Sequence, residues 1–322
     1  MTISLSIGIP TYQRGDILCQ TLGPLLERCT ASVKEVIIAD QCPNHSAAIQ
    51  AKLKRMCEHP LVHYLALESS GLTFARNRIL AEAQGEGVIF LDDDVAVSEE
   101  MFERYAEAFE RTGADAILGQ VYQSNSQMMT DSLATHPLCP TGSSCFGNQG
   151  TWVSCPRYAM GCNHAVLRQP ALSIGGYDEH FCAVAKNEEC DFLMRLALAG
   201  GSIWYEPSCW LVHFSASTGG VRQNSLPIRE EWTRSYNDLL WLIRLGRASG
   251  TFKTSLWRAL RRGPLHKRNV LRPWRQPWAW ASFLYALLRA AFHSPIVLGI
   301  DHSGTGIHIP WRSIHLASVD HS

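Results

Sequence analysis

The chain has 322 residues, 46% hydrophobic and 18% charged, and its 29 basic and 29 acidic side chains cancel to a formal net charge of zero. This length and balance suit one large α/β domain, alone or with an appendage, and exclude global disorder or an overall pull toward nucleic acid or membrane. Eleven cysteines, an odd number with no Cys-x-x-Cys pair, argue against a disulfide framework or a thiolate zinc site and for reduced thiols in a cytosol.

The amino terminus lacks a basic region followed by a long apolar stretch, so residues 4–9 read as a first strand and not as a signal peptide. Leu18, Leu22, Leu25 and Leu26 have helical spacing over residues 17–29. Val36 to Ala39 form a second strand ending at Asp40, followed by a helix over 47–56 and a strand over 62–67. A helix over 73–84 and a strand over 87–91 complete a βαβαβαβ pattern, which predicts a parallel sheet with helices on both faces. A helix over 101–111 and a strand over 116–122 come next. Residues 123–150 are rich in Ser, Thr, Gly, Pro and Asn and read as a long loop of the kind that is either functional or disordered. Later expectations are a helix over 191–199, a strand over 202–205 and a helix over 230–245.

The carboxy-terminal part changes character. Ten basic residues lie between Arg244 and Arg275 with no acid among them, and residues 278–300 are apolar and aromatic but broken by Arg289, His293 and Pro295. A spanning helix needs about 20 uninterrupted apolar residues, so this stretch does not predict one. Two readings remain: an interfacial anchor on an anionic leaflet, or a helix packed on its own domain with a solvated basic face. Nucleic acid is disfavoured, because no binding motif accompanies the charge.

The chemistry is concentrated at predicted strand ends. Asp92, Asp93 and Asp94 follow the apolar run Val88-Ile89-Phe90-Leu91, and clustered carboxylates repel one another unless a cation joins them. Gly71 opens a helix with Arg76 on an early turn, an arrangement that can cradle a diphosphate. Asp40 could accept from a nucleobase imide with Tyr12 stacked on it. A second acidic cluster, Glu188, Glu189 and Asp191, begins a helical stretch.

These segments resemble the family 2 glycosyltransferases, which have the GT-A fold. The resemblance is carried by IPTYQR at 9–14, EVIIAD at 35–40, GLTFARNRILAEAQGEGVIFLDDDV at 71–95, GGYDE at 175–179 and EECDFLMRLALAG at 188–200. It implies a Rossmann-like, mostly parallel sheet flanked by helices, and an inverting transfer from a nucleoside-diphosphate sugar (UDP, GDP or dTDP type) to a glycan or glycolipid acceptor, assisted by Mn²⁺ or Mg²⁺. Residues 1–122 would bind the nucleotide sugar and residues 123–245 would form the acceptor and catalytic half. Residues 246–322 would be a basic, aromatic, helical extension. Pro10, Thr11, Tyr12 and Asp40 would hold the nucleoside, with Arg14 of the same segment among the substrate contacts. Gly71 and Arg76 would lie near the ribose and diphosphate, Asp92 toward the ribose and Asp94 on the metal. Asp93 occupies the motif's variable middle place among the substrate contacts.

The resemblance places Glu189 as the base. This chain has Glu where the family usually has Asp, which keeps Glu188 a rival, and Asp191 completes the acidic group. His213 either completes the metal shell or is a half-buried structural histidine. Gly176 and Asp178 stand on the substrate side, Asn163, Trp152, Trp210 and the 123–150 loop on the acceptor side, and Gly219-Gly220 reads as a lid. The implied setting is surface polysaccharide or glycolipid synthesis, in the cytoplasm or peripherally on the inner face of the plasma membrane. The competing classes are a sugar nucleotidyltransferase, whose Gly-rich amino-terminal loop IPTYQR does not supply, and a non-catalytic nucleotide-sugar-binding relative. No phosphate-loop motif occurs.

Overall fold

The computed structural model describes residues 2–42, 44–124, 139–140, 149–153, 156, 159–181, 185–216, 227–248 and 250–292. The order of elements is β1 (Leu5–Thr11), α1 (Gly15–Glu27), β2 (Val33–Asp40), α2 (Ala47–Met56), β3 (Val62–Ala66), α3 (Leu72–Glu82) and β4 (Gly87–Leu91). Then come β5 (Val95–Val97), α4 (Met101–Thr112), β6 (Ala116–Gln123), β7 (Cys139–Pro140), β8 (Thr151–Trp152), β9 (Asn163–Leu167), α5 (Arg168–Ser173) and α6 (Glu188–Leu198). β10 (Ile203–His213), α7 (Pro227–Ala248), α8 (Phe252–Arg262), α9 (Lys267–Val270), a 3-10 turn (Pro273–Arg275) and α10 (Gln276–Phe292) complete it.

The sheet runs β3-β2-β1-β4-β9-β6-β10-β5, with β7 beside β6 and β8 beside β10. β2's side chains alternate between two cores: Val36 and Ile38 join one, Ile37 and Ala39 the other. That period of two is what a strand buried on both faces requires. α3 lies close on β1, where a Cβ on Gly8 would meet Ile79 at 2.5 Å. α1 and α4 contribute to the opposite core through Leu18, Leu22, Phe102 and Tyr105.

β9, α6 and β10 differ from the sequence expectation in ways that shape the site. β9 inserts antiparallel between β4 and β6; NHAVL is too short an apolar run for its periodicity to announce it. α6 starts at Glu188 rather than 191, because Asn187 takes a left-handed conformation (φ 68°) that turns the chain into the helix. The three acids then fill its first turn, where they face the positive end of its dipole. β10 runs eleven residues, far beyond 202–205, by absorbing a register shift between Glu206 and Trp210 against β6.

α7 crosses the expected boundary at residue 245 and buries Tyr236, Leu240, Trp241 and Ile243 in the core it shares with α6. α8 and α10 pack on α7 in turn, burying Ser255, Ala259, Phe283, Ala286 and Ala290. One face of the extension therefore packs on the domain. Among the described residues no helix is long and apolar enough to cross a membrane. Cys19, Cys29, Cys42, Cys57, Cys162, Cys190 and Cys209 are free thiols.

Candidate active site

β4 delivers three successive aspartates that take different directions. Asp93 turns inward: its carboxylate accepts from Thr11 Oγ1 at 2.7 Å and Arg14 Nη1 at 3.0 Å, and its carbonyl accepts from Thr21 Oγ1 at 2.6 Å. Burial pushes its carboxyl up to about 7 despite Arg14. Asp93, Thr11 and Arg14 thus form an internal clamp. The variable middle residue of the motif carries the loop, and Arg14 is drawn in by two acids, since Asp94 Oδ2 lies 3.2 Å from the same nitrogen.

Asp94 faces the other way. Its Oδ2 accepts from Ala216 N at 2.8 Å, and its Oδ1 is buried without a hydrogen-bond partner among the described residues. His213 Nε2 lies 3.2 Å from that oxygen and 3.6 Å from Asp92 Oδ2. β5 and β10 bring these groups together: His213 pairs with Val95, and Phe214 N donates to Asp94 O at 3.0 Å. Asp92, Asp94 and His213 each offer a ligand atom, all within 4.8 Å of one another. Asp92, expected on the ribose side, therefore joins the metal-type group.

His213 is oriented for ligation. Gln123 Nε2 donates to His213 O at 3.0 Å, which directs Gln123 Oε1 to His213 Nδ1 at 3.2 Å. An acceptor there takes the Nδ1–H and leaves Nε2 facing the two carboxylates: protonated, it pairs with them; deprotonated, its lone pair is open to a cation. Two hard oxygens and an imidazole suit Mn²⁺ or Mg²⁺. Asp94 is held below its usual range: burial opposes ionisation, but His213, Arg14 and the Ala216 N–H outweigh it.

Across from this group stands the amino end of α6. Arg76 is buried, ion-paired to Glu188, and donates to Gly161 O at 2.8 Å. Its guanidinium lies 5.3 Å from the centre of the Tyr177 ring and 5.8 Å from that of Phe90. It does not present its charge at the surface to a diphosphate, as the sequence suggested; Glu188 pulls it into the core. Glu188 Oε2 in turn accepts from Glu189 N at 2.6 Å. Glu189, half-buried, is the remaining carboxylate of the pair. Burial, with the charge of Glu188 beside it, raises its pKa well above the ordinary value. Replacing Arg76 by Met would strand Glu188 as a buried, unpaired charge, so Arg76→Met should cost about 3–5 kcal/mol in urea unfolding.

Several expected contacts belong to the scaffold instead. Asp191 is fully buried, with Arg195 Nε at 3.0 Å and Arg244 Nη1 at 3.1 Å. It faces α7, with both carboxylate oxygens on arginines. Asp178 meets Arg244 Nη2 at 2.6 Å and His180 N at 2.9 Å. Gly176 is left-handed (φ 68°), its carbonyl accepts from Arg195 Nη2 at 2.7 Å, and a Cβ there would strike Asn77. Asn163 is buried and hydrogen-bonded to Tyr105 OH, Gln120 O and Cys209 O.

Pro10 is buried in β1, and Tyr12 is half-buried just beyond it. Asp40 is fully buried, its Oδ1 on Cys42 N at 2.9 Å and its Oδ2 within 2.6 Å of both Tyr64 OH and His45 Nε2. A nucleobase would have to displace His45 to reach it. His45, Cys42 and Arg14 line a cavity of about 380 Å³ beside the ends of β1 and β2. Gln41, which the sequence did not single out, ties Thr11 O to Gly71 N, donating at 3.2 Å and accepting at 2.6 Å. Trp152 is exposed and stands edge-on to Trp204, and Trp210 stands edge-on to Tyr122. Gly219-Gly220 and residues 125–138 and 141–148 of the loop lie outside the described residues.

A helix-flanked mixed sheet, parallel over β3-β2-β1-β4 and not mostly parallel as expected, with acids and a histidine at its strand ends opposite an acid-headed helix, is the GT-A architecture. Residues 6–172 match Glycosyl transferase family 2, and the chain belongs to that family. It is 30% identical over 220 residues to the succinoglycan biosynthesis protein ExoM of Rhizobium meliloti, covering 65% of this chain and 66% of that protein. It is 27% identical over 127 residues to the uncharacterized glycosyltransferase EpsJ of Bacillus subtilis, covering 39% and 36%. The chain thus spans just under two thirds of the first relative's length and about a third of the second's. In fold it is similar to the mannosyltransferase PcManGT from Pyrobaculum calidifontis in complex with GDP-Man and Mn²⁺ (TM-score 0.54, 16% identity, 97% of this chain and 83% of that one). It is also similar to S. aureus TarS 1-349 in complex with UDP-GlcNAc (TM-score 0.63, 15% identity, 92% and 84%).

Proposed function

We propose that the chain transfers a sugar from a nucleoside-diphosphate sugar to an acceptor hydroxyl with inversion at the anomeric carbon. The observation that carries this reading is the pairing of Asp92, Asp94 and His213 with a half-buried Glu189 across Arg76, whose charge acts on both Asp92 and Glu189. Glu189 would take the proton of the acceptor hydroxyl as that oxygen bonds to the anomeric carbon and the bond to the diphosphate breaks on the opposite face. Arg76 and Glu188 would position it. Mn²⁺ or Mg²⁺ held by Asp94, His213 and Asp92 would supply Lewis-acid stabilisation of the departing diphosphate. Tyr12 and the cavity beside His45 would receive the nucleoside, and Gly71 would border the ribose.

The donor would be a UDP-, GDP- or dTDP-sugar and the acceptor a glycan or glycolipid of a surface polysaccharide pathway. The setting would be cytoplasmic, with a peripheral contact on the inner face of the plasma membrane. ExoM and the sugar-nucleotide complexes of the structural neighbours support this reading. The test is a panel of such donors with Mn²⁺ and Mg²⁺, read as nucleoside diphosphate released. Release from one base and sugar class is expected. Binding without turnover on any donor would indicate a non-catalytic relative. Pyrophosphate release from a nucleoside triphosphate and a sugar phosphate would indicate a nucleotidyltransferase.

The pH profile follows from Glu189. A base acts ionised, and its raised pKa keeps it protonated to higher pH than an ordinary glutamate. The rate should rise with pH along a limb displaced above the normal carboxylate range. Glu188→Gln removes the neighbouring negative charge and should move that limb to lower pH, measured as kcat against pH.

A further inference from the structure

We infer that the exposed face formed by α8, α9 and the start of α10 docks on an anionic lipid bilayer. No acidic residue occurs from 239 to 300. Of the ten basic residues between Arg244 and Arg275, Arg244 is buried on Asp178 and Asp191 and Arg247 donates to Ala290 O, so neither belongs to a surface patch. Seven of the others are exposed. Exposed apolar side chains gather in the same place. Of the twelve exposed large hydrophobic residues among the described ones, ten lie between Trp257 and Leu288.

Leu271, Trp274 and Trp278 are 76%, 71% and 66% exposed, and they stand within eight positions of one another among Lys267, Arg268 and Arg272. They are not a core left open. The opposite sides of α8 and α10 are already packed on α7 through Ala259, Phe283 and Ala286. Cations interleaved with Trp and Leu suit the headgroup boundary, where the rings sit at the acyl edge and the cations meet lipid phosphates. A nucleic acid would satisfy the charge but leave Leu265 and Leu271 in water. With no spanning helix among the described residues, the contact is peripheral.

The inference rests on the transferase reading for its purpose. A lipid-borne acceptor in the same bilayer would meet a site whose base helix is tied to the docking helices through α7 and Arg244. Each cation near an anionic surface strengthens partitioning about fivefold (~1 kcal/mol), and salt screens the effect.

The experiment is cosedimentation of the full chain with phosphatidylcholine vesicles, with and without phosphatidylglycerol, across a salt series. Donor hydrolysis is assayed in parallel without lipid. Wild type should pellet only with phosphatidylglycerol and release as salt rises. Arg268→Glu with Arg272→Glu should weaken partitioning at least tenfold, and Trp274→Ser with Trp278→Ser should weaken it even at low salt. All four sites are exposed and outside the reaction site, so circular dichroism and lipid-free hydrolysis should stay at wild-type levels. Equal pelleting of wild type and both double variants, or no pelleting of wild type at low salt, would overturn the docking surface. Vesicle binding by a chain that hydrolyses no donor would instead leave the surface standing and remove the transferase reading.

Discussion

Glu189→Gln is expected to lower turnover by about 10²–10⁴ while donor affinity stays at the wild-type level. The amide keeps the size and hydrogen bonding of the side chain and removes only its capacity to take a proton. Two carboxylates compete for this role in the sequence, and their surroundings separate them. Glu188 is buried, paired with Arg76, and accepts the backbone N–H of Glu189. A group so engaged has its oxygens directed at Arg76 and the backbone and not toward an acceptor hydroxyl. Glu189 is half-buried, and burial together with the neighbouring negative charge raises its pKa well above the ordinary value, so its carboxylate holds a proton more readily than an ordinary glutamate. Glu188→Gln should therefore lose stability and shift the pH limb while retaining measurable turnover. An inactive Glu188→Gln beside an active Glu189→Gln would reverse the assignment.

The parts of this fold that were legible in the sequence are those where one periodicity dominates. β1, β2, β4 and the helices between them follow apolar runs and leucine spacing, and the strand-end acids mark the site by charge alone. What escaped depends on contacts distant in sequence. β9 gains its place from Asn163 and from neighbours on β4 and β6, not from its own five residues. Arg76 looks from the sequence like a phosphate ligand, because a lone arginine on an early helical turn has no visible partner. Its partner lies 112 residues away at Glu188. Asp191 shares the acidic cluster of Glu189, yet the helix turns it toward Arg195 and Arg244. Local sequence shows which groups carry charge; which of them are neutralised is decided by packing.

Asp94→Ala should abolish the metal-dependent part of donor binding with the fold retained. Changes to groups that support metal ligands weaken metal affinity roughly 10–100-fold, which is the loss expected of Gln123→Ala, since Gln123 only orients His213. Removing a ligand should exceed that. The three aspartates provide the internal control. Asp93 carries the Thr11 and Arg14 clamp, so Asp93→Asn should lower stability and leave metal affinity near wild type. Asp94 presents a buried oxygen without a hydrogen-bond partner to His213 and Asp92. Such an oxygen in a native site calls for a partner of opposite charge, which a protonated His213 supplies without metal and a divalent cation supplies once the imidazole is neutral. Titration of Mn²⁺ and of UDP or GDP into each variant by calorimetry separates the cases. Wild-type nucleotide affinity in Asp94→Ala, equal with and without Mn²⁺, would remove Asp94 from the metal site. Loss in Asp94→Ala but not in Asp93→Asn would place the cation on the face of the loop that His213 closes.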